Sequence, residues 1–384
     1  MRTVTTLGVF PAYRDNPYVN LMTLAPRAGG VRVDETTTLE GAEAVLAGLA
    51  RGDAFHLHWT SPIAQRAVDG REEARARSDR FVAALRRARE RGVLLVWTIH
   101  NVVPHDARHL DVEVALCQAL ADLVDVVHAM STGTVDAARE HYVVDPAKVV
   151  TIPHPSYQGV YPSTLPRREA RERLGLDADD HAVLFFGQMR SYKGLDVLLS
   201  ALGRVARDTG HDVVRPVVLL AGKTSADELA FVEEHLPSGL RAVRHHDRVD
   251  DADVETWFAA ADVAVLPYRR ILNSGTVHLA ATFGLPVVLP REDHLVADFG
   301  GESWVGFYGL DDPVGSLASL LSQPATYAMP RDGARDFSHR LSPFTVSNRY
   351  ADLLSERLAG LGAGLDGDRS QESTDGPTAS RLGA

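Results

Sequence analysis

Two short stretches of this sequence carry residue types suited to holding an anion. In the first, the apolar run from Val183 to Phe186 ends in Gly187-Gln188-Met189-Arg190-Ser191-Tyr192-Lys193-Gly194. Gly187 has no side chain and lets a ligand approach the backbone, while Arg190 and Lys193 can neutralise a diphosphate as it binds and as it leaves. In the second, Val263 to Leu266 runs into a loop ending in Asn273-Ser274-Gly275-Thr276, followed by an apolar helical segment and Gly284-Leu285-Pro286. That order reads as strand, loop, helix, strand. Ser274 and Gly275 open the helix, where free backbone N–H groups can hold an anion. Each stretch alone competes with a solvated basic turn or a plain helix cap. Together, at two strand exits of one α/β series, they make an anion site the better reading.

The first half of the chain places other polar clusters at its strand exits. Tyr13, Arg14, Asp15 and Asn16 follow the first strand; His56 and His58 precede Trp59; His100 and Asn101 lead to His105 and Asp106; Ser131 and Thr132 close a fourth run. A single histidine at a strand end is more often structural. Several such clusters at successive exits of one sheet point to a shared pocket. Proton-transfer candidates are Asp15 and Asp106, with His58 behind them, although a turn or cap role competes at each position.

The elements that must position these residues are legible as alternating short apolar runs and helix-length segments, the signature of parallel α/β layering. Strands are expected at 4–10, 54–59, 94–100, 124–130 and 149–152, with helices at 38–51 and 75–91 between them. Residues 153–180 are rich in Pro and Gly and read as a linker with a charged helix at 167–174. A second series then places strands at 183–186, 214–221, 240–243, 263–266 and 286–289, and helices at 195–207, 227–235, 253–260 and 277–282. The expected boundaries are a first domain at 1–155, a second at 156–340, a closing amphipathic helix at 341–359 and a disordered tail at 360–384.

Composition bounds the function. The 384 residues are enough for two cores, and the hydrophobic and charged fractions of 45% and 24% are those of a globular protein. A formal net charge of −11 argues against a general nucleic-acid binder. The single cysteine, Cys117, excludes an intrachain disulfide framework and reads as a small buried hydrophobe. No apolar run approaches the ~20 residues of a membrane span, and the start of the chain lacks the flanks of a signal peptide, so a cytoplasmic location is expected. The arginine-rich segment 75–91 could meet the inner face of an anionic membrane, but Asp79 and Glu90 interrupt it and a solvated helix is the preferred reading. Asp177-Ala178-Asp179 and Asp251-Ala252-Asp253 are explained by turns and caps, so no metal is expected.

Gly187 through Gly194, Ala221-Gly222-Lys223, Ala261 through Tyr268, Ser274-Gly275 and Phe283 through Val288 together resemble the C-terminal half of GT-B fold glycosyltransferases, near glycosyltransferase family 4. The resemblance implies two Rossmann-like, doubly wound domains facing a cleft, with a C-terminal helix crossing back to the N-terminal domain. It implies a transferase that moves a hexose, such as mannose, from a GDP- or UDP-sugar to a saccharide or lipid-linked saccharide, with no further cofactor. By motif position, Arg190 and Lys193 would contact the donor diphosphate beside Gly187. Asn273, Ser274, Gly275 and Thr276 would lie over phosphates or ribose, Arg248 would border the base, and His100 would face the donor sugar.

The sequence departs from that pattern at one pair of positions. Where many retaining members carry paired glutamates, this chain has Ile271 and Leu279, and neither can act as a carboxylate. Retention and inversion therefore both stay open, and an outlying subfamily is the expected home. Two other classes remain as rivals: a non-catalytic sugar-nucleotide or glycan-binding module, and a GT-B epimerase or phosphorylase.

Overall fold

Strands buried on both faces need a cover of helices on each side, and this chain supplies it twice. The computed structural model describes residues 5–68, 70–104, 107–207, 214–269 and 271–371. Strands β1 (Thr6–Phe10), β2 (Arg32–Glu35), β3 (Ala54–Leu57), β4 (Leu94–Thr98), β5 (Val126–Ala129) and β6 (Val149–Thr151) form a six-stranded sheet of order β2-β1-β3-β4-β5-β6. Strands β7 (His181–Phe186), β8 (Pro216–Ala221), β9 (Ala242–His245), β10 (Val263–Val265), β11 (Val287–Pro290) and β12 (Val305–Tyr308) form a second, of order β12-β11-β10-β7-β8-β9. Every recorded pairing in both sheets is parallel.

Parallel order decides where ligands can sit. In each sheet the chain winds outward in both directions from a central pair, and the crevice opens where the winding reverses, at the carboxyl ends of those strands. In the first sheet the pair is β1 and β3, with Leu7 opposite Ala54 and Phe10 opposite Leu57. In the second it is β7 and β10, with Val263 opposite Val183. The clusters around Asp15 and His58 follow the first pair, and those around Lys193 and Ser274 follow the second.

The linker is held to the second sheet by charge. Arg167 and Arg171, on the helix Arg167–Arg173, both reach Asp262 just ahead of β10, and the other face of that carboxylate accepts the Ala182 N–H at 2.8 Å. Asp262 thus ties the linker helix, β7 and β10 together at the end of the sheet opposite the cleft.

The closing helix, Pro343–Gln371, crosses back onto the first domain. Val346, Tyr350, Leu353, Leu354 and Leu358 are buried in the core under β1, β3 and β4. Ser347 accepts the Ala25 N–H at 2.7 Å and donates to the Met22 carbonyl at 2.8 Å. The helix continues past the expected end at 359, and residues 372–384 of the expected tail lie outside the described residues. Two strands absent from the sequence reading, β2 and β12, are edge strands.

Tyr350 donates its hydroxyl to His56 Nδ1 at 2.6 Å, inside the first domain. Tyr350→Phe removes the donor and leaves a buried imidazole lone pair unmatched. The expected cost is about 1–3 kcal/mol, read as a lower urea midpoint with an unchanged m-value; a variant as stable as the parent would disprove the anchoring role.

Candidate active site at the interdomain cleft

On the C-terminal wall, two glycines fix the loop after β7. Gly194 adopts the left-handed region at φ +68°, and a Cβ there would overlap the Pro267 carbonyl, so the loop lies directly on the β10 exit. Gly187, at φ +99°, would place a Cβ 2.8 Å from Lys193 Nζ. The missing side chain is therefore the space into which the ammonium points. Arg269 N donates to the Tyr192 carbonyl at 2.8 Å, closing the two loops together.

Lys193 is only 8% exposed, its backbone N–H donates to the Arg190 carbonyl at 2.9 Å, and no hydrogen bond or ion pair of its ammonium is recorded among the described residues. Its ammonium lies 5.3 Å over the ring of Tyr268, a cation–π contact. The Tyr268 hydroxyl reaches Thr276 Oγ1 at 3.5 Å. Tyr268 therefore spans from the buried cation to the opening turn of the helix Gly275–Thr282. Ser274 caps that helix without a side-chain bond, and the N–H groups of Ser274, Gly275 and Thr276 have no acceptor among the described residues. A little-exposed lysine and N–H groups without a recorded acceptor, joined by one tyrosine, are the features of a candidate anion cradle.

On the N-terminal wall the dominant feature is buried histidine. His56, His58, His128 and His154 are each at least nine-tenths buried, as is His278 across on the helix Gly275–Thr282, and His100 is partly exposed. The directions of their hydrogen bonds follow from one carbonyl. His128 Nε2 must donate to the Ile152 carbonyl at 2.8 Å, so its Nδ1 accepts the Thr98 hydroxyl at 2.9 Å. Thr98 in turn accepts His56 Nε2–H at 2.6 Å, and His56 Nδ1 accepts Tyr350. His56 stacks on His58 with ring centroids 4.0 Å apart.

His58 Nδ1 and His100 Nε2 are 3.1 Å apart, and His58 Nε2 is buried without a partner. An orphaned acceptor costs less than an orphaned N–H. His58 therefore donates from Nδ1 to His100, and His100 carries its own proton on Nδ1. Burial, then the neighbouring His58, His128 and His154, hold the His100 pKa well below its ordinary value. His100 is thus a neutral hydrogen-bond donor at the cleft. It is not a base.

The structure brings together some of the sequence candidates and separates others. Gly187 lies against the Lys193 ammonium, and Tyr268 links it to Thr276 in the turn that Ser274 and Gly275 open. Asn273 faces the other wall, with Nδ2 3.5 Å from the Ile99 and His100 carbonyls. Arg190 is exposed and lines a cavity of about 630 Å³ with Tyr192, Asp196 and Arg269. Arg248 lies on the loop after β9, 3.6 Å from Asp251. Asp15 is exposed on the loop after β1. Asp106 lies outside the described residues. Ile271 and Leu279 are buried apolar side chains at the positions of the absent carboxylates. Sequence reasoning missed Tyr268 as the bridge, and missed Thr98, His128 and Tyr350. The available signal was a polar residue facing inward on each of three adjacent apolar strands, β3, β4 and β5.

This fold is the one found in GT-B glycosyltransferases. Residues 180–299 match the family described as glycosyl transferases group 1. The chain is 27% identical, over 83% of its length and 83% of the relative's, to the GDP-mannose:glycolipid 4-beta-D-mannosyltransferase of Xanthomonas campestris pv. campestris. It is 29% identical, over 71% of its length and 67% of the relative's, to the D-inositol 3-phosphate glycosyltransferase of Thermobispora bispora. Its fold matches sucrose-phosphate synthase from Thermosynechococcus elongatus with a TM-score of 0.70 at 15% identity, covering 93% of this chain and all of the other. It also matches Anabaena Alr3699/HepE, solved with UDP and glucose, with a TM-score of 0.67 at 14% identity, covering 92% of this chain and all of the other. The chain has the GT-B fold and is similar to these glycosyltransferases, and it carries Ile271 and Leu279 where the resemblance leads to an expectation of paired glutamates.

The histidines give the fold a defined acid response. Burial holds His58 at about 3, and His128 and His154 at about 4. All three are neutral when folded and take up protons when unfolded, near the ordinary value of about 6.5. The unfolded state thus binds more protons as pH falls below that value. Stability should be flat above pH ~6.5 and decline below it, by about 1.4 kcal/mol per pH unit for each histidine kept neutral. Urea midpoints measured across that range check this, and a midpoint unchanged down to pH ~4 would contradict the buried-neutral assignment.

Proposed function

We propose that this chain transfers a hexose, mannose from GDP-mannose as the first choice, to a hydroxyl of a saccharide or lipid-linked saccharide, with inversion at the anomeric carbon. The observation that carries the donor half is Lys193. A cation this buried, with no carboxylate to pair it, is costly unless an anion completes the site. The open space beside Gly187 and the free N–H groups at Ser274 to Thr276 suit a diphosphate. Arg190 reaches it from the loop rim, and Arg248 borders the base. The GDP-mannose donor follows the name of the Xanthomonas relative.

Two observations favour inversion. The buried Ile271 and Leu279 leave no carboxylate where a retaining member would have its pair. In addition, the Xanthomonas relative is named a 4-beta-D-mannosyltransferase. GDP-mannose carries its mannosyl group through an α bond, so a β product is an inverted one. In the single displacement, the acceptor oxygen bonds to C1 as the C1–O bond to the β-phosphate breaks. The electron pair of that bond goes to the leaving diphosphate, where Lys193, Arg190 and the helix N-terminus meet the charge. The acceptor proton goes to a carboxylate on the N-terminal wall. Asp15 is the candidate base, because His100 has its Nε2 occupied and donates from Nδ1. Asp106 remains the alternative base by sequence position.

The same chemistry sets the remaining partners. The leaving charge has protein donors in Lys193, Arg190 and the helix N-terminus, and the proposed transfer needs no metal. A lipid-linked acceptor would bring the enzyme to a membrane surface. No helix among the described residues is long and apolar enough to cross one.

Two measurements test this. GDP at 100 times its Kd should stabilise the protein by about 2.7 kcal/mol, and Lys193→Ala should lose that shift together with sugar-donor turnover; nucleotide binding without consumption of any donor would favour a binding module, and phosphate-dependent glycan cleavage without nucleotide would identify a phosphorylase. EDTA should leave turnover unchanged, and the product should be the β-anomer by its one-bond C1–H1 coupling. An α product would rule out inversion.

A further inference from the structure

Each sheet has one crevice where the winding reverses, and the cradle occupies only the one between β7 and β10. Between β1 and β3 the loops bring up two aromatic side chains. Tyr13, after β1, is 36% exposed, and Trp59, after β3, is half-buried; their ring centroids are 5.5 Å apart. Trp59 is held flat against His100, with centroids 4.0 Å apart and planes 17° apart, and Tyr18 packs edge-on behind both. Trp59 is therefore a fixed face, while Tyr13 extends it toward solvent.

The neighbours of this face are polar in a particular way. Asp15 is exposed and makes no hydrogen bond or ion pair among the described residues. Its charge, after burial, helps raise the Tyr13 phenol, so the two are close in space. On the other side, His100 joins the face to the donor loop, because Asn273 Nδ2 lies 3.5 Å from the His100 carbonyl. From the cradle the order is therefore Asn273, His100, Trp59, Tyr13, with Asp15 beside Tyr13.

We infer that Tyr13 and Trp59 form the binding shelf for the acceptor, and that its occupant is a pyranose ring. A pyranose in a chair has an apolar face of axial C–H groups that packs on an aromatic plane, with hydroxyls directed outward around its rim. Two aromatic rings tilted 45° to one another, the Trp59 ring backed by His100 and the Tyr13 ring flanked by the Asp15 carboxylate, match that distribution. A lipid chain would have no use for Asp15. An anionic sugar would be repelled by it. The shelf thus selects a neutral sugar ring and turns one of its hydroxyls toward Asp15. This inference rests on the transferase reading above and adds the acceptor class and the residues that choose it.

The test uses the full chain and defined probes: methyl β-D-glucopyranoside and methyl α-D-mannopyranoside as neutral rings, methyl β-D-glucuronide as the anionic counterpart, and glycerol as a polyol without a ring face. Saturation-transfer NMR with GDP present should show contact from ring C–H protons of the neutral glycosides, weaker contact for the glucuronide and none for glycerol. Tyr13→Ala, at an exposed position, should weaken glycoside binding by about five- to tenfold, and Tyr13→Phe should retain it. Trp59→Ala should abolish the contact, with circular dichroism confirming the fold. In transfer assays, Tyr13→Ala should raise the acceptor KM and leave the donor KM and donor hydrolysis unchanged. Glycoside binding that is indifferent to both Tyr13 and Trp59, or no glycoside binding at all, overturns the shelf. If GDP also fails to stabilise these proteins, the transferase reading fails with it; if GDP stabilises them normally, only the shelf is lost.

Discussion

A lysine side chain that is only 8% exposed, with no carboxylate recorded beside it, is the constraint on which this site depends. Lys193 is held there by geometry that costs the chain something at each point. Gly194 must be left-handed, Gly187 must lack a side chain, and the Pro267 carbonyl must sit where a Cβ would otherwise be. The Tyr268 ring softens the penalty without removing it, because a cation–π contact is worth far less than the desolvation of an ammonium. An arrangement that maintained such a charge for stability alone would have placed an acid beside it. Asp262 shows that the chain does so where structure is the purpose, since it pairs with Arg167 and Arg171 at the far end of the same sheet.

The two walls of the cleft are electrostatically unlike, and the difference follows from what each packs against. The C-terminal wall offers a cation and unbonded N–H groups. The N-terminal wall offers imidazoles kept neutral by burial and by one another, wired from the Tyr350 hydroxyl through His56, Thr98 and His128 to a backbone carbonyl. On the proposed reading, a dianionic leaving group is drawn to one wall only. The other wall can orient neutral hydroxyls without competing for the phosphate.

Much of the fold was legible in the sequence, because inner strands of a parallel sheet are continuous apolar runs and carry their own signal. The edge strands did not. Arg32-Val33-Asp34-Glu35 exists as β2 only because β1 offers it a ladder, and Val305-Gly306-Phe307-Tyr308 depends in the same way on β11. Of the candidate site, the Gly187 loop and the Ser274-Gly275 helix start were readable because backbone geometry leaves marks in residue type. The histidine chain was not. Its members come from β3, β4, β5 and the closing helix, and no local pattern announces that Tyr350 will stand beside His56. The continuation of that helix beyond 359 was missed for a related reason. Its outer turns are Gly-rich and polar, and composition cannot show that they propagate from a helix already nucleated by packing.

The missing carboxylates at Ile271 and Leu279 then acquire a physical meaning. A retaining site keeps its polar contacts to the sugar on the donor wall. With two apolar side chains there instead, that wall can hold the diphosphate but offers little to the sugar ring or the incoming hydroxyl. The requirement passes to the opposite wall, where the chain places an imidazole N–H donor at His100 and an unpaired carboxylate at Asp15. The two walls touch where Asn273 meets the His100 carbonyl and where Thr132 reaches Asp298 at 3.4 Å. The crossing helix, rooted after the second domain and buried in the first, holds them at that spacing. Neither wall alone contains both the stabiliser of the leaving group and the acceptor of the proton. On the proposed reading, domain juxtaposition is part of the catalytic apparatus, and the long closing helix, buried in the first domain, is the element that joins the two.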